Sequence, residues 1–196
     1  MTRQLQQIDD GIFTVSEVFD RDECRDLMER SESIGFEAAS VRTSQGPQMM
    51  TRIRNNDRVV FYDAELASQM WQRIHPFVPV LEEHTACGVD SNLRIYRYFP
   101  GQQFKRHKDG AVTNEAGQTS KLSYLIYLNE DCVGGSTRFR DYRDADGARE
   151  KVEFIVSPVT GTALLFRHER WHEGAPVTEG AKYVLRTDVF YTTGCE

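Results

Sequence analysis

The strongest constraint on the fold lies in the second half of the chain. From about residue 93 onward the sequence is a succession of short β-like runs cut by turns. They are "LRIYRYF" (93–99), "KLSYLIYLN" (121–129), "STRFRDY" (136–142), "KVEFIVS" (151–157), "GTALLF" (161–166) and "KYVLRTDVFY" (182–191). The Gly134–Gly135 pair follows the second run, and "RDADGAR" separates the third from the fourth as a hairpin turn. Asp144–Gly147 has too few carboxylates for a calcium loop. So many short strands in about a hundred residues must close on themselves as a sandwich or barrel.

The first half reads differently. Residues 11–19 open as a strand, and Asp20 caps a helix with Glu23 in the capping-box position. Cys24, Leu27, Met28 and Ile34 line one face of that helix, and Gly35 ends it. Residues 36–62 read as strands with a turn at 44–48. Asp63 then caps a second helix, whose Leu66, Ala67, Met70, Trp71 and Ile74 share a face and which Pro76 stops. The fold class is α+β, in one domain over 1–196: helical support and substrate side in 1–90, β core in 91–192.

Charge narrows the partners. A net charge of −6 argues against a nucleic-acid binder, which needs a basic field. Residues 1–11 hold no apolar signal core and no run is long enough to span a membrane, so the expectation is a cytoplasmic protein without a membrane partner. Cys24, Cys87, Cys132 and Cys195 are scattered, without the pairing of a disulfide framework or a zinc knuckle.

The chemistry gathers around "YRYFPGQQFKRHKDG" (96–110). In extended chain, residues two apart point the same way, so His107 and Asp109 offer one nitrogen and one anionic oxygen together. His172, just after the 161–166 strand, supplies a third donor. Two histidines and a carboxylate suit non-haem Fe(II), and equally a zinc hydrolase. On the last strand Lys182, Val184, Arg186, Asp188 and Phe190 share one face, opposite Tyr183, Leu185, Thr187 and Val189.

Taken in order, "RYFPGQQFKRHKD", "YLIYLNEDCVGGSTRF" and "HEGAPVTEGAK" resemble the catalytic domain of the prolyl 4-hydroxylase branch of the Fe(II)/2-oxoglutarate-dependent dioxygenases. The resemblance covers about residues 92–191. It implies a double-stranded β-helix, or jelly roll, buttressed by the N-terminal helices. It further implies His107, Asp109 and His172 as iron ligands. Lys182, ten residues past His172, takes the distal carboxylate of 2-oxoglutarate, with Tyr98, Tyr127 and Ser123 in the co-substrate pocket. Arg186 is the alternative cation for that carboxylate, or binds substrate, or supports Asp188. His168 is a structural or rim residue.

The implied cofactors are Fe(II), 2-oxoglutarate and O2, with ascorbate as a candidate reductant. The implied reaction is hydroxylation of an unactivated C–H bond, releasing succinate and CO2. Its first candidate substrate is a prolyl or other residue of a protein or peptide; a free amino acid or small metabolite is the second. Arg52, Arg54 and Arg58 are candidates for receiving an acidic substrate, and residues 110–120 for a lid over the site. A nucleic-acid demethylase, a zinc hydrolase and a binding module with a relict metal site compete with this reading.

Overall fold

The computed structural model describes residues 2–43, 46–145 and 148–193. Two antiparallel sheets face each other. The larger has nine strands among the described residues. Its path runs Leu5–Asp9, Ile12–Val15, Ala163–Arg167, Thr119–Tyr127, Lys182–Thr192, Asn92–Tyr98, Asp57–Tyr62 and Glu37–Ala38, with Thr85–Val89 also paired to Lys182–Thr192. The smaller runs Ala148–Val156, Thr137–Ala145, His172–Gly174 and Phe104–His107. Strands far apart in sequence lie side by side in both sheets, which makes the jelly roll. The large sheet draws on residues 5–62 as well as on the second half.

The hairpin of Thr137–Ala145 and Ala148–Val156 stays in register to Ala145 opposite Ala148. The Asp146–Gly147 tip of its turn, the Ser44–Gln45 turn and Cys195 lie outside the described residues. No disulfide joins Cys24, Cys87 or Cys132.

Helix α1 (Arg21–Ile34) starts where expected. The Asp20 side chain accepts from the Glu23 N–H at 2.8 Å, and the Glu23 carboxylate accepts from the Asp20 N–H at 3.0 Å. Helix α2 (Ala64–Ile74) is capped by Asp63, and Pro76 sits in a short 3-10 turn that follows it. Arg73 near the end of α2 grips the Glu23 carboxylate with both terminal nitrogens, at 2.8 and 2.6 Å, locking the two helices together.

Alternation along the central strands separates two interiors. Leu122, Tyr124 and Ile126 on one strand, and Leu185 and Val189 on its neighbour, pack with Cys24, Leu27, Met70 and Ile74 of the helices. Tyr127 and Val184 point the other way, into the roll, against Phe139, Val156, Leu164 and Phe166. The helices therefore seal the outer face of the large sheet and leave its inner face for a site. No helix is long and apolar enough to cross a membrane.

Candidate metal centre

His107 ends its strand, His172 begins its own, and the two are directly paired across the small sheet. Asp109 lies two residues past His107, beyond the strand end, so extended geometry does not carry it. A backbone bond does: the Asp109 N–H donates to the His168 carbonyl at 3.1 Å. The outcome matches the spacing argument by a different route. One ligand atom from each of His107, Asp109 and His172 lies within 4.8 Å of the others.

Both imidazoles are oriented by the backbone. His107 Nδ1 meets the Lys105 carbonyl at 2.8 Å and His172 Nδ1 meets the Arg170 carbonyl at 3.0 Å. A carbonyl only accepts, so each Nδ1 carries a proton and each Nε2 is the atom turned to the site. These Nε2 atoms face Asp109 at 3.5 and 3.6 Å. Phe104 stacks on His107 with ring centres 3.5 Å apart, and Phe166 packs on His172 at 4.5 Å. Burial lowers the His172 pKa to about 4, so the ring is neutral at neutral pH. Burial alone would raise the Asp109 carboxyl, but Arg186 and the two histidines hold it well below the usual range. Two imidazole nitrogens and one buried carboxylate converge, the donor set a divalent cation takes.

A pocket opens from this cluster, lined at its far end by Tyr98, Thr137, Val184 and Lys182. Lys182 is only 4% exposed and, among the described residues, no carboxylate pairs with it. Its ammonium donates to the Gly135 carbonyl and lies 5.5 and 5.3 Å from the ring centres of Tyr98 and Tyr127. Burial pulls its pKa down to about 8. The glycine pair has a steric reason here. Gly134 and Gly135 have φ of +82° and +66°, and a Cβ on Gly134 would collide with the Pro176 carbonyl.

The remaining candidates separate. Arg186 lines the metal end of the pocket and contacts Asp109 Oδ1 at 3.2 Å and Asp188 Oδ1 at 3.5 Å. Ser123 is not on the pocket wall; it donates to Asp109 Oδ2 at 2.6 Å. The Tyr127 hydroxyl shares a 2.8 Å bond with Thr137, so Thr137, not Tyr127, presents the hydroxyl pair to the pocket. His168 is buried between Ser123 and Ser120, at 3.0 and 2.9 Å, in a structural position.

Of the three arginines near residue 55, Arg54 alone reaches the site wall. Its guanidinium lies 4.3 Å from the ring centres of both Tyr96 and Phe104. Arg52 sits on an exposed turn, and Arg58 pairs with Glu37 at 3.1 Å. Residues 110–120 fold back as a hydrogen-bonded loop, with Ser120 N–H on the Val112 carbonyl at 2.9 Å and Asn114 N–H on that of Gln118 at 3.0 Å.

Sequence reasoning passed over Phe104, Thr137 and Tyr96. Thr137 stands within the GG-x-T-x-F run and was open to reading from it. Phe104 and Tyr96 are rings in a ring-rich stretch, and nothing local marks them.

Residues 93–187 match the family described as the 2OG-Fe(II) oxygenase superfamily. Through this segment the chain is similar to that superfamily. That family's description names Fe(II) and 2-oxoglutarate, and the clustered His107, Asp109 and His172 fit the metal. A search of curated proteins finds no match. Several solved structures share the fold. The viral collagen prolyl hydroxylase of Paramecium Bursaria Chlorella virus-1, in its 2OG complex, is 19% identical over 92% of this chain and 96% of that one, with a TM-score of 0.60. A Pseudomonas putida prolyl-4-hydroxylase is 21% identical over 92% of each chain, with a TM-score of 0.61. A Trichoplax adhaerens prolyl hydroxylase, in complex with a hypoxia inducible factor peptide fragment, is 17% identical over 92% of this chain and 83% of that one, at 0.65.

Proposed function

We propose that this protein is an Fe(II)- and 2-oxoglutarate-dependent hydroxylase acting on an unactivated C–H bond, with a prolyl or other residue of a peptide as the first candidate substrate. The observation that carries it is Lys182. A buried ammonium with a carbonyl but, among the described residues, no carboxylate partner is costly unless an anion arrives, and a two-histidine, one-carboxylate cluster lines the same pocket. A zinc hydrolase has no use for that cation.

In this reading His107, Asp109 and His172 hold Fe(II). When iron, 2-oxoglutarate and O2 are bound, they supply the oxidising chemistry and release succinate and CO2. The chain's own work is to bind, orient and exclude water. Lys182 receives the distal carboxylate, with the contact strengthened by burial. Tyr127 and Thr137 share a hydrogen bond, and with Tyr127 donating, the Thr137 proton is free for the same carboxylate. Phe139 and Phe166 wall the His172 side against water. Tyr98, whose hydroxyl burial pushes up to about 12, stays a neutral donor. The peptide preference is supported by the Trichoplax adhaerens neighbour solved with a peptide fragment. The second substrate class, a free amino acid or small metabolite, fits the same site chemistry.

The test is an anaerobic titration of Fe(II) and 2-oxoglutarate, following the visible charge-transfer band of the chelate, on wild type, His172→Ala and Lys182→Ala. The band is expected in wild type, absent in His172→Ala, and shifted to much higher 2-oxoglutarate in Lys182→Ala. No band in folded, iron-loaded wild type overturns the proposal. A peptide and metabolite screen with succinate as readout then assigns the substrate class.

A further inference from the structure

Asp109 sits in a closed ring of polar side chains drawn from four segments. Oδ1 is ion-paired with Arg186, at 3.2 Å, and Arg186 also pairs with Asp188 at 3.5 Å. Oδ2 accepts from Ser123 at 2.6 Å. Ser123 is bonded to His168 at 3.0 Å, and His168 Nε2 lies 4.0 Å from the same Asp188 oxygen. The ring closes because Ser123 and Asp188 are directly opposite on adjacent strands, as are Leu125 and Arg186. Asp188 is 1% exposed, and its second oxygen meets Arg94 at 3.3 Å. Carboxylates and arginines thus alternate from Arg94 through Asp188 and Arg186 to Asp109.

Each Asp109 oxygen already has one protein partner, the Arg186 guanidinium on Oδ1 and the Ser123 hydroxyl on Oδ2, and the two partners stand on different strands. The carboxylate cannot turn about its axis without breaking one of them. A metal held by the two histidines would then be offered one oxygen while the other stayed with its partner. We infer that Arg186, with Ser123 behind it, is a positioning residue that confines Asp109 to one-oxygen ligation and so keeps a coordination position clear for the co-substrate. This assigns Arg186 a role separate from the distal carboxylate, which belongs to Lys182. It rests on the proposed metal site and adds what that site does not require: a device that stops its own carboxylate from chelating. A carboxylate free to bind with both oxygens takes up a position that 2-oxoglutarate needs. Loss of the guanidinium also leaves the site more negative, which favours a cation and disfavours a dianion.

Metal affinity and co-substrate affinity therefore move in opposite directions when the clamp is removed. The experiment titrates Co(II) anaerobically into wild type, Arg186→Met, Arg186→Lys, Ser123→Ala and His172→Ala, following the ligand-field absorbance. 2-Oxoglutarate is then added to each Co(II) form in a calorimeter, and thermal unfolding checks the fold. Arg186→Met is expected to bind Co(II) as tightly as wild type or tighter, with an altered band, and to bind 2-oxoglutarate roughly tenfold or more weakly. Ser123→Ala, which keeps every charge, moves the same way to a smaller extent, and Arg186→Lys recovers part of the loss. Unchanged absorbance and 2-oxoglutarate affinity in both Arg186→Met and Ser123→Ala overturn the inference. So does joint loss of Co(II) and 2-oxoglutarate in folded Arg186→Met, the mark of a collapsed site. If wild type itself binds no Co(II), or binds it as His172→Ala does, the metal site fails, and the clamp with it.

Discussion

Asp9 and Arg170 meet at 2.6 Å, and this contact ties the first hairpin of the chain to the turn that presents His172. Arg170 also donates to the Asp10 carbonyl at 2.6 Å, while its own carbonyl orients the His172 ring. An N-terminal strand far from the site in sequence thus fixes a candidate ligand. Burial would raise the Asp9 carboxyl, but Arg143 and Arg170 outweigh it and lower its pKa. Its contribution to stability is present above the ordinary value of 3.8 and is lost as the pH falls through the folded-state value. Asp9→Asn is expected to cost about 1–2 kcal/mol in denaturant unfolding at pH 7. It is also expected to weaken Co(II) binding roughly tenfold. Unchanged Co(II) affinity would separate the hairpin from the site.

Lys182 gives a pH signature. Its pKa falls from 10.5 to about 8 in the ligand-free fold. The buried charge costs stability at and below pH 8, and that cost fades as the pH rises toward 10.5, where the unfolded chain also loses its proton. Lys182→Met is therefore expected to stabilise the ligand-free protein at pH 7 by roughly 1–3 kcal/mol while it destroys 2-oxoglutarate binding. In wild type, 2-oxoglutarate binding is expected to weaken above pH 8 by up to about tenfold per unit, with proton uptake measurable by calorimetry in two buffers. A flat affinity between pH 7 and 9.5 contradicts this.

Gly135 touches the same lysine. A Cβ there would lie 2.9 Å from Lys182 Cδ, on a backbone with φ of +66°. Gly135→Ala is expected to lose about 1–3 kcal/mol of stability from the backbone conformation. The displaced ammonium is expected to weaken 2-oxoglutarate binding more than Co(II) binding. Parallel titrations of the two ligands check it.

Tyr124 tests the helix-side core. It is fully buried, and its hydroxyl has no hydrogen-bond partner among the described residues. Tyr124→Phe removes only that oxygen, so it is expected to leave stability unchanged or raise it by about 1 kcal/mol. A loss above that size in denaturant unfolding would reveal a partner for the hydroxyl.

The sequence was readable where the physics is local. The Asp20 and Asp63 caps follow from a side chain and an N–H three residues away, and both form. The two faces of the last strand follow from alternation, and Leu185 and Val189 indeed face the helices while Lys182 and Arg186 line the pocket. Elements held by distant partners were not readable. Phe104–His107 has no alternating apolar face; it is a strand because His172–Gly174 pairs with it and Ile53 accepts from Lys105 N–H at 2.9 Å. Thr85–Val89 likewise exists through its pairing with Lys182–Thr192. Resemblance puts Ser123 in the co-substrate pocket, yet its partner, Asp109, is set by the loop that returns it to the sheet. Nothing in the sequence distinguishes Arg54 from Arg52 and Arg58; the turn at 51–53 turns it inward.

The two-faced strand from Lys182 to Thr192 makes length matter more than identity in one short stretch. Substituting Val184 alters one contact. Deleting or inserting a single residue between Lys182 and Asp188 would swap the faces beyond it, sending Arg186 and Asp188 to the helices and apolar residues to the pocket. Variation in chain length along this part of the molecule is therefore confined to the loops on either side, and the separation of Lys182 from Asp188 behaves as a fixed ruler.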